Sequence, residues 1–145
     1  MDKVIVLLSE NWHGNTTETL WVVPWFKENS FQIKNVPFYV KGISLDDIII
    51  AEEIDGIKFF RSVLKNGGHS TYRIFLNENI REETFETYWL PLQNLGCTYE
   101  KAFIRFYSID VPAETDVNKA YVLLENGEKN HIWDFEEGKF GHELS

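Results

Sequence analysis

The chain has 145 residues, 14 Lys+Arg against 23 Asp+Glu, a formal net charge of −9 and one cysteine. That length suits one compact unit or two small lobes sharing a core, and a 43% hydrophobic content is too high for a disordered chain. The lone cysteine excludes an internal disulfide framework and a multi-thiolate zinc site, and the acidity argues against a nucleic-acid partner, whose phosphates need a basic face.

The apolar run Val4-Ile5-Val6-Leu7-Leu8 is too short for a membrane span of about 20 residues or a secretory core of about 7–15. Glu10, Asn11 and His13 follow with no cleavage pattern, so the run reads as a buried strand and a cytoplasmic location is expected. Leu20-Trp21-Val22-Val23 is a second strand, ended by Pro24. Phe31-Gln32-Ile33-Lys34 alternates apolar and polar as a third, and Asn35–Val40 continues it as far as Pro37 allows. Lys41-Gly42 marks a turn. Ile48–Ala51 and Ile57–Leu64 form a hairpin around the tight-turn dipeptide Asp55-Gly56.

The period then changes. Thr71–Leu76 reads as a strand, and Asn79 is placed to cap a helix whose apolar face is Phe85, Tyr88, Trp89, Leu92 and Leu95. Pro91 predicts a kink or shortening near Thr87, and Gly96 a left-handed cap. Thr98-Tyr99 and Ala102–Ile109 read as two strands. Thr115 or Asp116 caps a second helix with Val117, Ala120, Tyr121 and Leu124 buried and Gly127 as its stop. His131–Phe135 is a last strand, and Gly138–Ser145 a loosely held tail.

The expected fold is therefore α+β. Residues 1–68 form a β-rich subdomain, a small β-barrel or bent antiparallel sheet. Residues 69–145 follow the βαββαβ order of a ferredoxin-like unit, with Asn66-Gly67-Gly68 at the junction and the two halves packed as one.

Several blocks carry a resemblance. Thr19–Val22, Ile33-Lys34-Asn35-Val36-Pro37-Phe38-Tyr39, Gly42–Asp47, Gly67-Gly68-His69-Ser70-Thr71-Tyr72-Arg73, Leu95-Gly96-Cys97 and Asp110-Val111-Pro112 occur in order. Together they resemble the bacterial family catalogued as domain of unknown function 4265, from about Leu20 to Gly138. Val22-Val23 stands where that family usually has a Glu or Ala-Glu after the Trp. The resemblance implies a shared architecture and supplies no catalytic residues.

The Gly67–Arg73 block offers a base in His69, a nucleophile in Ser70 and an anion clamp in Arg73, a possible pocket between the lobes. Successive strand residues point to opposite faces, however, so the block reads more readily as a glycine turn entering a strand, with Ser70 and Thr71 tying down backbone groups and Arg73 paired to a carboxylate. The four histidines, His13, His69, His131 and His142, have no metal-ligand spacing, and no cofactor motif is present. Asp46-Asp47 reads as a solvated turn cap, and Cys97 as a small buried apolar residue.

Charge divides unevenly. Residues 1–68 hold 7 Lys+Arg and 9 Asp+Glu (−2), and residues 69–145 hold 7 and 14 (−7). Glu125, Glu128, Asp134, Glu136 and Glu137 interleave with Trp133 and Phe135. Carboxylates around aromatic anchors suit capture of a basic protein. The expectation is a non-enzymatic binding protein, most concretely an immunity protein against a bacterial nuclease-like toxin domain. The alternative is an enzyme or small-ligand domain using His69, Ser70 and Arg73.

Overall fold

The computed structural model describes residues 1–9 and 13–143. Glu10 and Asn11, read as ending the first strand, and Leu144 and Ser145 of the tail lie outside the described residues.

Five strands form the first sheet: β1 (Asp2–Leu7), β2 (Thr17–Pro24), β3 (Ser30–Ile33), β4 (Ile48–Ile54) and β5 (Ile57–Lys65). Each pairs antiparallel with the next. Ile5 also pairs parallel with Phe59, so the sheet curls into a ring. Period-two alternation builds its interior: Glu18, Leu20 and Val22 of β2 point inward while Thr17, Thr19 and Trp21 point out. Val4, Val6, Leu20, Val22, Ile33 and Ile49 fill the centre. Asp55 (φ 52°) and Gly56 (φ 81°) make the hairpin turn with both residues left-handed, and register shifts in β4–β5 bend that pair.

The segment read as extending β3 does something else. No strand covers Lys34–Asp47; the chain leaves the ring and lies against the second sheet. Pro37 has no N–H to give a ladder, and the buried Glu18 carboxylate takes the N–H groups of Phe38, Tyr39 and Val40 at 2.6, 3.0 and 2.8 Å.

The second sheet comprises β6 (Ser70–Leu76), β7 (Thr98–Phe103), β8 (Phe106–Val111) and β9 (Trp133–Lys139), in the order β7-β8-β6-β9 with every pair antiparallel. Helices α1 (Glu82–Leu95) and α2 (Val117–Lys129) cover one face. The protein is thus α+β, two helices with two largely antiparallel sheets.

Five local expectations need correction. Helix α1 starts after Arg81, which makes no side-chain cap, and Asn79 sits before it in left-handed backbone. Pro91 lies within α1 without shortening it, because Phe85, Trp89 and Leu92 anchor both sides of the break in the core. The Ala102–Ile109 run splits at a turn in which Arg105 takes φ 68°. Gly127 stays inside α2: a Cβ there would fall 2.2 Å from the Trp133 ring, so it is a packing glycine and not a stop. The tail is held, since Lys139 ends β9 and the Gly141 N–H donates to Ser70 Oγ at 2.9 Å. Asp116 does cap α2, accepting from the N–H of Asn118 and Lys119, and Gly96 (φ 112°) ends α1.

Candidate functional site

Strand β6 is central in its sheet and buried on both faces, so the residues of the glycine block diverge. Tyr72 and Ile74 face the helices; Thr71 and Arg73 face the ring. His69 Nδ1 meets Asp110 Oδ1 at 2.8 Å, and its Nε2 lies 3.3 Å from Asp46 Oδ2. The Asp110 hydrogen bond holds the imidazole above its ordinary 6.5 against the opposing effect of burial, with Asp110, Asp46 and Glu114 adding their fields. His69 thus bridges a ring-side and a sheet-side carboxylate, both of which favour its protonated form.

Ser70 makes a separate arrangement. The Pro112 carbonyl can only accept, so His142 Nε2 donates to it at 2.8 Å. A neutral ring then leaves Nδ1 to accept the Ser70 hydroxyl at 2.6 Å. A serine, a histidine and a carbonyl in line have the form of an activated nucleophile. Ser70 is fully buried, though, and its oxygen already accepts from Gly141, so the set works as a clasp.

Arg73 is fully buried; Nη2 donates to the Val40 carbonyl and Nη1 lies 3.6 Å from Glu136 Oε1. His69, Ser70 and Arg73 therefore have separate partners and do not line one pocket, because alternation and burial turn them apart. A cavity of about 540 Å³ opens beside Gly67 and Gly68, bordered by Asp116, Asn118 and His142.

Asp47 does not face water. It is buried and accepts from the N–H of Ser44 (2.9 Å), the N–H of Gly67 (2.8 Å) and Lys139 Nζ (2.6 Å). Asp47, Asp110, Lys139 and His142 complete this junction, and sequence reasoning missed their roles. Burial pushes the Cys97 thiol up to about 12, so it is no thiolate at neutral pH. Among the described residues no three His, Cys, Asp or Glu side chains gather as a metal site.

Of the acidic group, Glu128, Asp134 and Glu137 are exposed and Glu125 and Glu136 half-buried. Trp133 requires correction as a surface anchor. It is fully buried, edge-on to Phe85 and Tyr88, and its indole N–H donates to the Leu124 carbonyl at 3.0 Å. The space left by Gly127 admits its ring. Phe135 is partly buried against Tyr72 and Tyr121. Glu82, Glu83 and Glu86 add exposed carboxylates on α1 that sequence reasoning passed over. Their closeness in the first turns of the predicted helix, with Glu82 and Glu86 flanking its apolar face and Glu83 opposite it, was the available signal.

Residues 18–135 match the family DUF4265, a domain of unknown function. The chain belongs to this family. A hypothetical protein from Neisseria gonorrhoeae, known from a crystal structure, shares the fold with a TM-score of 0.81 at 19% identity over 99% of this chain and 96% of its own. No curated protein matches. No helix among the described residues of this DUF4265 chain is long and apolar enough to cross a membrane.

Proposed function

We propose that the chain is a cytoplasmic, non-enzymatic binding protein that neutralises a basic protein partner, most concretely an immunity protein against a nuclease-like bacterial toxin domain. The observation that carries this reading is where its carboxylates collect. The Leu76↔Trp133 pairing and the bonds Asn77 N–Ile132 O (3.0 Å) and Leu76 N–Arg105 O (2.8 Å) join the start of α1, the β7–β8 turn, the end of α2 and the start of β9 at one end of the sheet. That end carries the exposed Glu78, Glu82, Glu83, Glu86, Glu128 and Asp134, against Arg81, Lys101, Arg105 and Lys129.

A negative end of this kind steers a basic surface toward it and speeds encounter. A nuclease must be basic to hold phosphates, and an acidic surface covers such a groove without chemistry of its own. The groups able to do chemistry at the junction are spent in ion pairs and hydrogen bonds. We read the βαββαβ order as a ferredoxin-like unit and the five-strand ring as a small barrel, on the strength of the strand orders. The unpaired, buried Cys97 supports a reducing compartment.

The test is co-expression with the C-terminal domain of a large secreted protein encoded immediately upstream of the gene, followed by binding measurements at low and high salt. Restored growth and binding that weakens steeply with salt are expected. Failure to restore growth, or binding indifferent to salt, would sink the reading.

A further inference from the structure

A second cavity, of about 300 Å³, lies between the first turns of α1 and the β7–β8 hairpin. Phe85, Tyr99 and Tyr107 border it; Glu82 and Glu86 stand on its α1 side, and Lys101 and Arg105 on its β7–β8 side, where Arg105 Nη1 already donates to the Asn77 carbonyl at 2.7 Å. The rings are set against one another: Phe85 stacks on Tyr107 with centroids 4.5 Å apart, and Tyr99 meets Tyr107 at 5.1 Å and 90°. Aromatic faces are electron-rich and attract cations, most strongly where water is partly excluded. The chain uses this property itself, since Lys101 Nζ hangs 5.7 Å from the Tyr107 centroid. Burial, and after it the fields of Glu86 and Glu82, raise the Tyr99 phenol above its ordinary range. The same two glutamates therefore act on the rings as well as on the cavity mouth.

We propose that this cavity is a recognition site for a cationic side chain, an arginine or lysine of the basic partner, and that Lys101 is the tethered stand-in which that side chain displaces. The inference rests on the basic-partner reading and names the site where its charge is read. Glu82 and Glu86 supply the opposite charge, and the Tyr99 and Tyr107 rings the flat surface on which a guanidinium or ammonium group lies. Lys101 is exposed on β7 and outside the buried core, so its displacement costs no core contact.

The test is titration of the full chain with N-acetyl-arginine amide, an Arg-rich nonapeptide and spermidine, read by NMR on the ring protons of Tyr99 and Tyr107, with sodium chloride at matched ionic strength as control. Saturable shifts with the arginine compounds are expected, with the peptide tighter than spermidine. The double variant Glu82→Gln with Glu86→Gln should weaken peptide binding by about threefold or more, and Lys101→Met should tighten it by a similar factor. All three positions are exposed, so the variants test the site rather than folding. No saturable shift, spermidine binding more tightly, or a Lys101→Met variant that binds no better would each overturn the proposal. A toxin domain that binds the double variant as tightly as the original, and still with salt dependence, removes this cavity and leaves the acidic-end reading standing. Peptide binding here with no toxin partner does the reverse.

Discussion

The central strands β6 and β8 are buried on both faces, by different physics on each. Toward the helices, Tyr72, Ile74, Ile109 and Trp133 meet Phe85, Leu92 and Leu124, with almost only carbon in contact. Toward the ring, Phe106 packs on Phe75, Phe38 and Tyr39, but the rest is polar: Thr71, Arg73, Ser108 and Asp110 are 0–2% exposed and find directional partners in the Ser44 hydroxyl at 2.6 Å, the Val40 and Val36 carbonyls, and the His69 ring. Burial of hydrocarbon is strong and indifferent to orientation. A buried polar group adds about 0.5–1.5 kcal/mol net when paired and costs about 1–3 kcal/mol when it loses its partner. The helix face therefore supplies most of the stability, and the ring face dictates how the Lys34–Asp47 segment must lie.

The sharpest way to break that contrast is Trp133→Ala, which leaves a ring-sized cavity and should cost about 3–5 kcal/mol in urea unfolding. A loss under about 1 kcal/mol would mean the helix face is not the main store of stability. Arg73→Met addresses the opposite face. It removes a donor to Val40 and the partner of Glu136, and should cost about 3 kcal/mol while leaving helix content by circular dichroism unchanged. An unchanged midpoint would show that the polar face is dispensable. Gly127→Ala forces a methyl against the Trp133 ring and should cost about 2 kcal/mol, where an ordinary helix position would gain from alanine.

The smallest effect is a slope with pH. His69 is held above 6.5 in the fold, so its contribution is fully present below pH 6.5 and is lost as pH rises through the folded-state value. Unfolding free energy should fall over that window in the original protein, and His69→Gln should flatten the fall. An identical profile in the variant would show that protonation of His69 contributes nothing to stability.

What could be read in advance was whatever depends on neighbours in the chain. The β-branched and aromatic run Leu20–Val23, the Asp55-Gly56 turn, the Asp116 cap and the Gly96 stop are set within a few residues. Asn35–Val40 misled because an apolar, aromatic run has the same letters whether its backbone pairs in a sheet or hangs from Glu18. Gly127 misled because a glycine that ends a helix and one that admits a neighbouring ring look alike until Trp133 is seen beside it. Trp133 and Phe135 alternate with Asp134 and Glu136, which sets the two rings on the face opposite the carboxylates; reading rings and carboxylates as one surface overlooked that period. The serine clasp joins residues 72 apart in sequence, a separation at which local pattern carries no information.

Asp47 has one more consequence, for the order of assembly. Its three donors lie 3, 20 and 92 residues away along the chain. The turn at Ser44 can form as soon as it is made, and the ring's last strand is complete by Lys65. The buried carboxylate nevertheless lacks its counter-ion until Lys139 has been synthesised and β9 has added to the sheet's edge. Contacts of such separation are gained late and slow the search. A nascent chain that stalls between those points would leave the Asp47 carboxylate to water instead of to Lys139, so its burial is expected only once β9 is in place.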